Sequence, residues 1–190
     1  TPLHGVGKDI FLRATKEEGF ENVMVVPEQA CPNGDFPTVL YPNPEEENTL
    51  DKAHALAEKT EIPWVFAHDP DADRLQVSFP LSKKMTKLSG NEMGAILGYF
   101  AMLFAKEKSL VASSIVSSRM LKTMASKMGV GYVDGLTGFS NIIEKALESE
   151  EQTQAKFIFG YEEAIGFLMG QVVLDKDGIN AGLRFLEIAG

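Results

Sequence analysis

The sequence predicts an α/β fold built as two similar mixed-sheet units in tandem. Two observations carry this. Apolar runs of strand length alternate with stretches of helical period along the whole of the 190 residues. A polar stretch with three lysines and no aromatic residue, Ser82–Ser89, divides the chain into halves of similar size, read as residues 1–86 and 87–190.

Each element follows from its local pattern. Lys8–Glu18 carries Ile10, Phe11 and Ala14 and stops at Gly19, which suits a left-handed helix cap. Val23–Val26 is a short apolar run, read as a buried strand. Pro27–Asn48 holds five prolines and Asn33-Gly34-Asp35, so it reads as a long irregular loop, a kind often kept for function. Asn48 is placed to cap a helix through Leu50, Ala53, Leu56 and Ala57, and Trp64–Ala67 and Leu75–Phe79 read as strands. Ser89 and Glu92 form a capping-box pattern that opens a helix to about Lys106, apolar nearly all round and so expected to be buried. Leu110–Val116, Tyr132–Val133 and Phe157–Phe159 read as strands, and Arg119–Met128, Phe139–Glu148 and Ala181–Ala189 as helices. Met120, Met124 and Met128 recur every four residues, the pattern of a helix core face.

Composition narrows the function. Apolar residues make up 44% and charged residues 24%, as in an ordinary globular chain. Lys and Arg number 18 against 27 Asp and Glu, a net charge of −9, which argues against a nucleic-acid partner. The longest apolar block, Met93–Ala105, is too short to span a bilayer, so no membrane partner is expected. One cysteine, Cys31, excludes an internal disulfide and fits a reducing, cytoplasmic setting; it is read as a packing residue. Thr1 is not an initiator Met and no signal pattern opens the chain, so a piece of something longer is expected.

The most informative segment is His68-Asp69-Pro70-Asp71-Ala72-Asp73-Arg74, directly after an apolar strand. Three carboxylates at alternate positions repel one another unless a hard cation compensates them, and such cations take oxygen ligands. Arg74 supplies a fork suited to phosphate. Metal and arginine together suit phosphoryl transfer, where charge neutralisation and positioning do most of the catalysis. A solvated acidic turn is the alternative reading. A calcium EF-hand loop fails, because Arg74 and Pro80 stand where Gly and Glu are needed. An aspartate-nucleophile phosphatase loop fails as well, because Asp73 stands where such enzymes place Thr or Val.

Asp69–Arg74 closely resembles the metal loop of the α-D-phosphohexomutase superfamily, Asp-Gly-Asp-Gly-Asp-Arg or near variants. Gly160-Tyr161-Glu162-Glu163-Ala164-Ile165-Gly166 resembles its sugar-binding loop, and Thr1–Gly7 the opening of its second domain. Asp35–Val39 with Pro42–Glu45 resembles the long loop that follows. The sugar loop is most similar to that of the phosphoglucomutase/phosphopentomutase branch. The resemblance implies a four-domain parent that moves a phosphoryl group between C1 and the terminal carbon of an aldose, through a phosphoserine and a sugar bisphosphate. It implies Mg²⁺ on Asp69, Asp71 and Asp73, phosphate binding by Arg74, and sugar binding by Glu162, Glu163, Thr137 and Gly138. Sugar phosphates such as glucose 1-phosphate or ribose 1-phosphate are the implied partners. The family's Thr-Ala-Ser-His-Asn-Pro serine loop and Arg-x-Ser-Gly-Thr-Glu-Pro phosphate loop do not occur here. The resemblance therefore implies no catalytic nucleophile in this chain, with the serine upstream and domains I and IV lying outside it.

Several residues depart from the family or have a plainer reading. Ala164 replaces a Ser that touches sugar in many relatives, and Ser140 replaces a Lys after the aromatic Phe139; either substrate binding is weakened or shifted, or Lys145 or another base compensates. Glu163 has a second reading, orienting the loop rather than binding sugar. Ser113, Ser114, Ser117 and Ser118 read as strand and cap residues; His4 reads as a residue that holds its turn or contacts substrate, and His68 as a packed strand-end residue or one that orders the metal loop. Asp175-Lys176-Asp177-Gly178 reads as a turn that caps the last helix.

Overall fold

A computed structural model describes residues 1–82 and 84–190. The chain divides into two compact units, Thr1–Leu88 and Ser89–Gly190. Both the α/β class and the pair of units expected from the sequence are present.

The first unit contains α1 (Lys8–Glu17), a 3₁₀ turn at Pro27–Gln29, α2 (Asp51–Thr60), β1 (Val65–Ala67), β2 (Gln76–Leu81) and β3 (Lys84–Lys87). β2 lies between β1 and β3 and pairs antiparallel with each. Ala67 opposite Gln76 closes the β1–β2 pair just before the acidic loop, so that loop is a hairpin connection. Ala53 and Ala57 of α2 pack with Val65, Met85 and Val26, and Phe11 of α1 lies against Phe66 and His68.

Three local readings change in this unit. Asn48 does not cap α2 with its side chain: Leu50 is the N-cap residue, and only the Asn48 carbonyl accepts, from Asp51 N–H. Val23–Val26 forms no ladder among the described residues. Val26 alone is deeply buried, in the cluster with α2, while Met24 is 58% exposed. The run is anchored by hydrophobic contact rather than by strand pairing. Ser82–Ser89, read as a divider, contains β3, with Lys83 lying outside the described residues. Met85 supplies the buried position of β3, and Lys87 Nζ donates to the carbonyls of Pro44, Glu45 and Glu46.

The second unit contains α3 (Gly90–Leu103), β4 (Ser109–Ser114), α4 (Met120–Met128), β5 (Gly131–Gly135), α5 (Phe139–Thr153), β6 (Lys156–Glu162), β7 (Gly166–Met169) and α6 (Gly178–Ala189). Its sheet runs β5-β4-β6-β7, with β4 parallel to β5 and β6 and with β7 antiparallel to β6. Phe157 of β6 packs with Phe139, Ile142 and Ala146 of α5 on one face. On the other, Gly94 and Gly98 of α3 let the helix approach the rings of Tyr161 and Phe159. This parallel core is the crossover arrangement that alternating helices and strands imply.

Capping follows the sequence at both ends of the unit. Ser89 and Glu92 form the reciprocal capping box of α3, and Asp177 Oδ1 accepts from Asn180 N–H at the start of α6. Three packing expectations shift. The buried stripe of α4 is Leu121 and Ala125, not the methionines, and Met120 is exposed. One flank of α3, Tyr99 and Leu103, is also open to solvent, so the helix is not buried all round. Cys31 is exposed rather than packed. Among the described residues, no helix is long and apolar enough to cross a membrane.

Candidate functional site

The hairpin loop after β1 brings the three aspartates together. One carboxylate oxygen from each of Asp69, Asp71 and Asp73 lies within 4.8 Å of the others, with Asp71 exposed and the other two half-buried. Such a set of hard oxygen donors could hold a metal ion. Burial pushes Asp69 up to about 7; the Arg74 N–H, which donates to Asp69 Oδ1 at 3.1 Å, counters this in part, and the charges of Asp73 and Asp71 add to it. Arg74 Nε lies 3.8 Å from Asp69 Oδ2 and 3.9 Å from Asp73 Oδ1, too far to hydrogen-bond, and is buried without a partner. The arginine therefore offsets the carboxylates by charge without tying up its N–H donor at Nε.

Three features shape this loop. Ala72 N–H donates to the carbonyl of Asp69, and Ala72 has the left-handed φ of 61° where the family motif has Gly. His68 is buried, with Nδ1 2.9 Å from the carbonyl of Arg74, across the base of the loop. Burial lowers His68 to about 4, so the ring is neutral and Nδ1 carries the donated proton. The segment Thr1–Gly7 then seats the loop from outside. Val6 N–H donates to the carbonyl of Pro70 at 2.8 Å, and His68 N–H donates to the carbonyl of Thr1 at 3.0 Å. A methyl group on Gly5 would lie 2.3 Å from Pro70 Cα and carbonyl oxygen, so only glycine permits this approach.

His4 holds that segment rather than facing the aspartates. Its Nε2 is 2.8 Å from Thr38 Oγ1, which also accepts from Gln29 Nε2. The Asp35–Val39 stretch of the long loop thus has a structural attachment that the sequence motif alone did not specify.

In the second unit the sugar-loop residues form the turn between β6 and β7. Glu162 pairs in register with Gly166, and Glu163, Ala164 and Ile165 make the turn. Glu162 and Glu163 are half-buried. Their surroundings differ. Glu163 Oε2 accepts from Ser114 Oγ at 2.7 Å and from Ser117 Oγ at 3.1 Å. Burial works against its charge, but these hydrogen bonds and its own backbone N–H hold it below the usual carboxylate range. The serine cluster is a set of strand and turn residues: Ser113 and Ser114 are buried in β4, and Ser118 Oγ accepts from Met120 N–H at the start of α4.

Thr137 and Gly138 are exposed at the start of α5, where Asn141 Nδ2 donates to the Thr137 carbonyl and Gly138 has φ 96°. Beside them, Lys145 pairs with Glu148 along α5. Lys176 instead places Nζ 5.6 Å from the centre of the Phe139 ring. Its Cδ and the Glu162 Oε1 both lie within 3 Å of the position a Gly166 Cβ would take, so its stem runs beside the Glu162 carboxylate. By sequence, Asp175–Gly178 reads only as a helix-capping turn. The absence of a Lys at position 140 was the signal that another cation should be sought.

The description "Phosphoglucomutase/phosphomannomutase, alpha/beta/alpha domain II" matches residues 1–81, and that of domain III matches residues 89–190. The chain belongs to the phosphoglucomutase/phosphomannomutase family. This places it within the α-D-phosphohexomutase superfamily. It is 40% identical to the phosphoribomutase of Saccharomyces cerevisiae over 98% of the chain and 32% of that protein. It is also 40% identical to the phosphopentomutase of Homo sapiens, over the whole chain and 32% of that protein. A crystal structure of a phosphoglucomutase/phosphomannomutase family protein from Burkholderia thailandensis superposes with a TM-score of 0.79 at 22% identity, over 98% of this chain and 38% of that one. The chain thus spans about a third of the length of the curated relatives it matches.

Proposed function

We propose that the chain is the central part of a sugar-phosphate mutase, moving a phosphoryl group between C1 and the terminal carbon of an aldose. The observation that carries this is the trio Asp69, Asp71 and Asp73, whose carboxylate oxygens gather within 4.8 Å on a loop seated by Thr1–Gly7. Three anionic oxygens with no nitrogen or sulfur donor fit a hard cation, and Mg²⁺ is the ion proposed. When bound, the ion would neutralise phosphoryl oxygens. Arg74 holds further positive charge at the same loop, with a fork suited to phosphate. Glu162, beside Lys176, would accept from paired sugar hydroxyls, and the exposed Thr137–Gly138 backbone would contact the same substrate. Glucose 1-phosphate and ribose 1-phosphate are the substrates proposed, in the cytoplasm.

The phosphoserine of this reading comes from outside these 190 residues, since no matching serine loop occurs among them. The chain by itself is therefore expected to bind without turnover, because covalent transfer needs an activated acceptor. A non-catalytic binding relative is the second reading, favoured by Ala164 and Ser140, which withhold a hydroxyl and a cation from the sugar site.

The test is an NMR titration of the chain with each sugar phosphate, beside an assay with Mg²⁺ and a bisphosphate activator. Shifts centred on Glu162, Thr137 and Gly138 with no product support the proposal. Shifts confined to other surfaces, or product above a protein-free control, overturn it. Turnover by a longer protein carrying this segment separates the catalytic reading from the binding one.

A further inference from the structure

Glu163 stands next to the proposed sugar ligand Glu162, yet its chemistry is directed inward. Ser114 Oγ and Ser117 Oγ both approach its Oε2, at 2.7 and 3.1 Å, and lie 2.8 Å from each other. Each serine has one hydroxyl proton, and an ionised carboxylate only accepts. The consistent arrangement sends the Ser114 proton to Glu163, with the Ser117 proton shared between Ser114 and Glu163. The Glu163 backbone N–H also reaches the same carboxylate. A sugar hydroxyl at Oε2 would compete with both serines.

The turn that carries Glu163 is held against strain. Ile165 is completely buried with φ 55°, a left-handed conformation rarely tolerated by a β-branched residue. Strained backbone of this kind persists only where the surroundings over-determine it. Here α3 supplies one wall: a methyl group on Gly90 would lie 1.9 Å from the Glu163 carbonyl oxygen. The two serine posts are themselves fixed. Ser114 is a buried residue of β4. The turn bearing Ser117 is tied down at Ser118, whose N–H donates to Asn91 Oδ1 at 2.7 Å; Tyr161 O–H donates to the same oxygen at 3.1 Å. Strand β4, helix α3 and strand β6 thus converge on one side chain.

We infer that Glu163 is a positioning residue: gripped by Ser114 and Ser117, its carboxylate locks the Glu162–Gly166 turn in the strained shape that presents Glu162, and it does not touch sugar. The inference rests on the sugar-loop reading above for what the turn presents, but the latch itself is a property of this unit alone.

Amide hydrogen exchange of the chain, read by NMR at Ile165–Leu168, tests the latch, with Ile142 and Ile143 of α5 as internal reference. Glu163→Ala is expected to speed exchange at the turn roughly ten- to hundredfold, the effect of losing a hydrogen bond to a charged group, and to leave the reference amides unchanged. The pair Ser114→Ala with Ser117→Ala should do the same, and joining it to Glu163→Ala should add little, because all three remove one interaction. Glu163→Gln keeps an acceptor oxygen and should recover part of the protection. Unchanged exchange in Glu163→Ala overturns the latch; if that variant does not fold, the same result in the serine pair overturns it.

Titration with ribose 1-phosphate distinguishes the two readings. Glu162→Gln should lose binding with exchange at the turn unchanged. Glu163→Ala should lose affinity only as far as its turn has opened. Equal loss of binding in both variants, with exchange unchanged in both, makes Glu163 a ligand and refutes the inference. If the wild type binds no sugar phosphate while Glu163→Ala still opens the turn, the proposed function fails and the latch stands.

Discussion

Asp71→Asn moves two quantities in opposite directions if the aspartate loop is a metal site. Asp71 is the exposed member of the trio, so little packing changes with the substitution. At 4.8 Å, two unit charges repel by about 0.9 kcal/mol in a water-like medium, and Asp71 faces two such neighbours. Removing its charge thus relieves about 1–2 kcal/mol in the metal-free protein, less where salt screens the loop or Asp69 is protonated. For a chain of this length, 1 kcal/mol moves a melting transition by about 2–4 °C. The metal-free melt of Asp71→Asn should therefore stay level or rise by a few degrees. With Mg²⁺ the same change removes one anionic oxygen ligand, and affinity should fall at least about tenfold. Thermal melts in EDTA and across a Mg²⁺ series, beside calorimetric titration, measure both. Wild-type affinity is expected in the roughly millimolar range, because Mg²⁺ dehydrates reluctantly and relies on substrate oxygens. A solvated acidic turn would show little change in either quantity. If Asp71→Asn keeps the Mg²⁺ dependence of the wild type, the trio is not the metal site and the proposed mechanism fails.

Three further outcomes follow from the geometry. Gly5→Ala drives a methyl group into the Pro70 backbone at 2.3 Å and should cost about 1–3 kcal/mol while shrinking the Mg²⁺ response, read by denaturant midpoint with and without the ion; an unchanged midpoint would show that Thr1–Gly7 does not seat the loop. Gly90→Ala meets the Glu163 carbonyl at 1.9 Å and should weaken ribose 1-phosphate binding while leaving the Mg²⁺ response intact, so a titration showing full sugar-phosphate affinity would count against the α3 wall. Because burial raises Asp69 from an ordinary value of 3.8 to about 7, its contribution to stability is full below pH 4 and lost as pH rises through 7. Melts of the metal-free wild type should fall across that window and Asp71→Asn should fall less; Mg²⁺ at pH 8 should restore stability, and a pH slope identical in the two proteins would contradict the coupling.

Features whose cause is local were legible in the residues. Asp69, Asp71 and Asp73 stand out because alternate like charges are costly wherever the chain runs. Ser89 with Glu92, and Asp177 before α6, announce helix starts because a cap is completed within three residues. The order of helices and strands in the second unit was readable for the same reason, since helical and strand periods are written in adjacent residues; β7 is the exception, four residues that become a strand only by pairing with β6. Where an element depends on a partner far along the chain, the residues are silent or misleading. Val23–Val26 has strand composition but forms no ladder, while the lysine-bearing Lys84–Lys87 gains one from β2; pairing belongs to two segments, and composition reports only one. The methionine stripe of α4 lost the core to Leu121 and Ala125 because the packing of neighbouring elements sets which flank of a helix is covered.

The sequence by itself determined the family, the acidic loop and the turn after β6, since each is a contiguous run with its own chemistry. Only the tertiary structure decided how those runs are held. It set Gly5 against Pro70, and laid Lys176 beside Phe139 and Glu162 where Ser140 offers no charge. It also gave two adjacent glutamates different surroundings. Glu163 finds its hydroxyl partner Ser114 at a separation of 49 residues, across a parallel sheet whose register brings β4 and β6 together. No local pattern encodes that distance, because a hydrogen bond depends on where the folded backbone carries its two ends.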